Sequence, residues 1–133
     1  MIQKDINKVS TPRLRIIQKI YGSLMNPDEK IIYPKSQYKK YIKDVVSGTL
    51  ERIELIEETI IDQLGKDIDL KKTDKLLKII LFSAVFELMF KHNTPKKVII
   101  SEYLRASEFF LERAQISYLN AILDKLSKSI RKE

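Results

Sequence analysis

The chain has 133 residues, with 25 Lys+Arg against 18 Asp+Glu and no cysteine, so its formal net charge is +7. Apolar residues make up 44%, enough for a packed core and too many for a disordered chain. Without cysteine there is no disulfide, thiol nucleophile or thiolate metal ligand; a lone His92 makes no histidine cluster, and 3 Gly leave no room for a phosphate-cradling loop.

Residues 1–10 form a polar, basic lead-in. No apolar run follows Met1-Ile2-Gln3-Lys4-Asp5-Ile6, so no signal peptide is expected. Ser10-Thr11-Pro12 reads as a helix start, a hydroxyl cap followed by Pro at the first helical position. Leu14, Ile17, Tyr21 and Leu24 then recur at helical spacing, and Asn26-Pro27-Asp28 ends the helix. After the apolar patch Ile31-Ile32-Tyr33, a second helix is expected over about 36–46, with Tyr38, Tyr41, Ile42 and Val45 on one face. Ser47-Gly48-Thr49 reads as a break. A third helix carries Leu50, Ile53, Ile56, Ile60 and Leu64 and stops near Gly65.

Leu70 to Lys72 reads as a linker, with Thr73 as the next cap. Leu76 to Phe90 is apolar nearly all round, the pattern of a buried central helix. It is too short to span a bilayer. Asn93-Thr94-Pro95 repeats the cap-then-Pro signal before Val98, Ile99, Tyr103, Leu104 and Ala106. The last helix uses Ala114, Tyr118, Leu119, Ile122, Leu123, Leu126 and Ile130. No segment alternates like a strand, so the fold class is all-α.

Charge is uneven along the chain. Residues 1–48 hold 10 basic and 4 acidic residues, a net +6; residues 49–93 hold 7 and 9; residues 94–133 hold 8 and 5. A positive N-terminal third points to a polyanion, with nucleic acid first. Its cations Lys4, Lys8, Arg13, Arg15 and Lys19 suit phosphates, or else a solvated helix face. Glu51, Glu54, Glu57, Glu58 and Asp62 read as a solvated face, since no second ligand set supports a metal there. His92 reads as a helix-end residue. Glu87, inside Ala84-Val85-Phe86-Glu87-Leu88, must pair with another helix or reach the surface. No nucleophile and base are spaced for catalysis.

Four segments in order carry a family resemblance: Gln18-Lys19-Ile20-Tyr21, Ala84 to Leu88, Pro95 to Glu102, and Tyr118 to Lys125. Together they resemble the NusB family over nearly the whole chain, with residues 27–70 matching only as helices. The resemblance implies a compact helical domain of about seven helices, built as two packed three-helix bundles, here about 11–65 and about 72–131. It implies a cytoplasmic transcription antitermination factor with no catalysis, cofactor or metal. Such a factor pairs with a small-subunit ribosomal protein that doubles as an elongation factor. The pair binds single-stranded boxA RNA of ribosomal RNA leaders and joins the RNA polymerase antitermination complex; some members are homodimers when free.

Carried over by position, the resemblance assigns Lys8, Arg13 and Arg15 to phosphates, Tyr118 to base stacking and Asn120 to a base edge. For Tyr118 a place in the apolar stripe is the competing reading. The basic run before the first helix is thinned relative to the family, and Phe82 stands where many members carry Arg. Two alternatives remain: a helical adaptor that binds only protein, and an RNA-binding domain of a ribosomal RNA methyltransferase system.

Overall fold

The computed structural model describes residues 12–132. They form six helices in the order α1 (Pro12–Met25), α2 (Lys39–Glu51), α3 (Ile53–Leu64), α4 (Lys75–Phe90), α5 (Lys96–Ser107) and α6 (Arg113–Ile130). Among the described residues there is no strand, as expected, and there are six helices rather than about seven. No helix is long and apolar enough to cross a membrane.

The architecture is organised by α4. Every residue from Ile79 to Leu88 is buried, and α4 touches all five other helices. A helix with apolar residues on every side can hide them only by being surrounded. Each fully buried Leu, Ile or Val contributes about 1.5–3 kcal/mol relative to exposure. Packing around α4 therefore outweighs any propensity term of the flanking helices. Buried residues of all six helices belong to one apolar cluster, including Leu14 and Ile17 of α1, Val45 of α2, Ile56 of α3, Ile99 of α5 and Leu123 of α6.

The helix ends follow some of the local sequence signals and depart from others. Pro12 is the first residue of α1, where its missing N–H costs nothing. Ser10 and Thr11, its expected caps, lie outside the described residues. The cap of α4 is Asp74 rather than Thr73: the Asp74 carboxylate accepts from Leu77 N–H at 3.1 Å. Pro95 precedes α5 as its cap rather than entering it. At α6, the Gln115 side chain accepts from the Glu112 N–H at 3.0 Å, one arm of a capping box.

Ser47-Gly48-Thr49 is not a break. It lies inside α2, which runs on to Glu51. The glycine serves close packing instead. A Cβ at Gly48 would collide with Phe86 Cζ and stand 2.5 Å from Cε1. Gly48 thus lets α2 approach the Phe86 ring of α4, and helix propensity yields to that contact.

The C-terminal tail holds another departure from a simple basic surface. Arg131 is buried. Its Nε donates to Leu88 O at 2.9 Å, its Nη2 to Lys91 O at 2.7 Å and its Nη1 to Thr94 O at 2.5 Å. The guanidinium gathers carbonyls at and just beyond the end of α4, and its charge complements the helix dipole there. It ties the end of α6 to the end of α4. His92 is exposed in the same turn.

Candidate nucleic-acid interface

The five sequence-assigned residues part company in the structure. Lys8 lies outside the described residues. Arg13, expected to meet phosphate, is buried and faces the interior. Its Nη2 meets Glu87 Oε1 at 2.7 Å and its Nε meets Glu87 Oε2 at 3.2 Å. Glu87 is wholly buried on α4, and a carboxylate there demands a cation. The fork of Arg13 supplies one bidentately. Glu87 thus makes the interhelix ion pair that its apolar surroundings required.

Two tyrosines complete this internal site. Tyr41 OH bonds to Glu87 Oε1, Arg13 Nη2 stands 2.8 Å from the same hydroxyl, and the guanidinium lies 5.1 Å from the Tyr41 ring centre. Tyr103 of α5 is fully buried, its ring centre 6.0 Å from the guanidinium. Burial, reinforced by the Glu87 charge, raises the hydroxyl pKa of both tyrosines well above the ordinary value. Burial and pairing direct the charge of Arg13 inward, to Glu87.

Arg15 points elsewhere. It is half-buried on α1, and its Nη1 donates to Gln18 Oε1 at 3.2 Å. It lines a groove of about 380 Å³ between α1, the 31–38 connection and the start of α2. Lys19 and Lys39 line the same groove, and so do Tyr33 and Tyr38. Lys19 and Arg15 were legible as α1 cations. From sequence, Tyr33 reads as part of an apolar patch and Tyr38 as the buried face of a helix, which in fact starts one residue later.

Tyr118 is 42% exposed. The core stripe of α6 is Leu119, Ile122, Leu123 and Leu126, and both Tyr118 and Ala114 stand outside it. The Tyr118 hydroxyl stands 3.4 Å from Asp67 O, and Lys125, two turns along the same face, reaches Asp67 Oδ2 at 2.5 Å. Asn120 is exposed. It flanks the buried Leu119 on the side opposite Tyr118, because residues two apart on a helix do not face each other. α1 and α6 share no contact, while α4 and α5 touch both. Arg15 and Tyr118 therefore belong to separate patches. The acidic residues of α3 converge on nothing: among the described residues, no group of His, Asp or Glu is placed to hold a metal ion.

Comparison with known proteins bears on the family and the fold. The NusB family model matches residues 6–128. NusB of Mesorhizobium japonicum is 32% identical over 94 residues, which is 71% of this chain and 61% of that protein. NusB of Nitrobacter hamburgensis is 29% identical over 68% of this chain and 57% of its own length. The chain thus spans little more than half the length of these relatives. NusB of Sphingopyxis alaskensis aligns over 99% of this chain and 100% of its own, at 24% identity. The solved structure of T. maritima NusB superposes with a TM-score of 0.79 over 98% of this chain and 96% of that one, at 19% identity, and so shares the fold. With a family match across nearly its whole length and that fold around α4, the chain belongs to the NusB family.

Proposed function

We propose that this protein is a cytoplasmic, non-enzymatic transcription antitermination factor. It binds single-stranded boxA RNA of ribosomal RNA leaders together with a small-subunit ribosomal protein and joins the antitermination complex on RNA polymerase. The family match over residues 6–128 carries this reading. The +6 charge of residues 1–48 supports an RNA partner.

Within it, Lys8 and Arg15 meet phosphates, and Arg13 is withdrawn because its charge is used inside. Tyr118 offers an exposed ring to a base. Asn120 reaches a base edge on the other flank of Leu119, so the two act on different nucleotides. Titration of boxA-like RNA, with and without the ribosomal partner, tests the reading. Partner-enhanced binding is expected; no binding in either state makes the protein a protein-only adaptor. Tyr118→Ala is expected to weaken RNA binding by about 1–3 kcal/mol while leaving the salt dependence unchanged.

A further inference from the structure

The groove between α1 and the start of α2 answers to none of the residues that the RNA reading assigned, apart from Arg15. It carries three cations, Arg15, Lys19 and Lys39, and none of its described lining residues is acidic. None of these three forms an ion pair with a described carboxylate, whereas Arg13, Lys91, Lys125 and Lys128 all do. Like charges gathered without counter-charges repel one another, and an anion relieves that repulsion. The groove is thus complementary to negative charge.

Its other walls are aromatic. Tyr33 and Tyr38 line it together with Ile42. Tyr38 is 44% exposed, so a large face of its ring meets solvent. Tyr33 is half-buried, and desolvation raises its hydroxyl pKa. A ring available for stacking beside several cations is the combination that binds single-stranded nucleic acid. The volume, about 380 Å³, is near the lower end of the roughly 300–1,000 Å³ of ligand pockets. That suits one splayed nucleotide and is too small for a duplex. Gln18, held by Arg15 at 3.2 Å through its oxygen, keeps its amide N–H groups for a base edge.

We infer that the α1–α2 groove is a second RNA subsite, in which Arg15, Lys19 and Lys39 hold backbone phosphate while a base stacks on Tyr38 against Tyr33. This rests on the RNA-binding reading above and extends it to a patch separate from α6. α1 and α6 share no contact, so an RNA that reaches both patches bridges two separate helices.

The test uses the full chain with its ribosomal partner and a single-stranded boxA-like RNA carrying flanking uridines. Binding is measured over a salt series, and helicity is checked for each variant. Lys19→Ala/Lys39→Ala is expected to flatten the log–log salt slope by about 1.4, at about 0.7 per lost phosphate contact. Tyr38→Ala is expected to leave the slope alone and weaken binding roughly 5- to 150-fold, and Tyr38→Phe to retain wild-type affinity. With 5-bromouridine in the flank, photocrosslinks are expected on the peptide holding Tyr33 and Tyr38. Wild-type slope and affinity in the lysine and Tyr38→Ala variants, with crosslinks only on α6, overturn the groove site and leave the RNA reading standing. Absence of RNA binding by the wild-type protein overturns both. If a glutamate-rich peptide binds the wild type and is lost with these variants while RNA binding is untouched, the groove is a protein site and the subsite is refuted.

Discussion

Removing Arg13 is the sharpest test of the assignment that separates core from interface. Glu87 is 0% exposed and the Arg13 side chain 10%, so solvent screens the pair little. Arg13→Ala strands a carboxylate beside Tyr41 and Tyr103 in an apolar core. Breaking a buried pair from one side costs about 3–5 kcal/mol. Folded domains are stable by only about 5–15 kcal/mol in all, so the loss is a large share. Arg13→Met/Glu87→Leu removes both charges and is expected to recover most of that loss, since an apolar replacement of a buried pair is often neutral or better.

Urea unfolding followed by circular dichroism reads both variants, with an unchanged m-value as the check that the end states are comparable. A loss under about 1 kcal/mol for Arg13→Ala, or a double variant as unstable as the sum of the single ones, would refute the internal role. RNA titration supplies the second arm. If folded Arg13→Ala keeps the wild-type salt slope, the arginine is structural; a slope flatter by about 0.7 would make it a phosphate ligand instead.

Other expected outcomes concern packing, capping and pH. Gly48→Ala drives a methyl into the Phe86 ring and is expected to lower stability by about 1–3 kcal/mol; with Phe86→Leu, which shortens the obstacle, denaturant melts should show part of that loss recovered. Arg131→Ala removes the guanidinium from the carbonyls of Leu88, Lys91 and Thr94, and hydrogen exchange at the α4–α5 turn should rise as stability falls by about 1–3 kcal/mol. Tyr41 and Tyr103 have raised pKa values in the folded chain. Their contribution is therefore whole below the unfolded-state value of about 10 and declines as pH rises above it, because the unfolded chain releases those protons first. Melting temperature against pH should fall in that alkaline range, and less so in Tyr41→Phe.

The fold was legible wherever burial was continuous. Leu76 to Phe90 announced α4 because no amphipathic alternative fits such a segment, and the structure surrounds it on all sides. Local chemistry was read less well where a residue type has two uses. Gly48 looked like punctuation, yet it serves the approach of α2 to Phe86, a contact between residues 38 positions apart that no local pattern reveals. Thr73 and Asp74 are both good caps, and only the backbone path selects the aspartate. Tyr118 fitted the stripe of α6 by spacing, but the stripe is narrower than the spacing allowed, and the ring lies outside it beside Asp67. Arg131 ended what looked like a solvated tail, because its carbonyl partners lie about 40 residues earlier.

Arg13 and Arg15 show the same ambiguity at its most consequential. Two residues apart on one helix, they cannot face the same way. Helical spacing separates them, but the sequence does not say which of the two turns inward. The division follows from α4: a fully buried Glu87 must be neutralised, and α1 turns one arginine toward it. Once that pair is set inside, Arg13 is spent on an acid from residues 49–93 and no longer adds to the outward charge of the N-terminal third. Three of the remaining cations line one groove with no carboxylate among its described lining residues. The apolar face of α1 and the buried pair turn inward together, which leaves Arg15 and Lys19 lining the groove. The core pairing and the external basic patch are two consequences of one helix orientation.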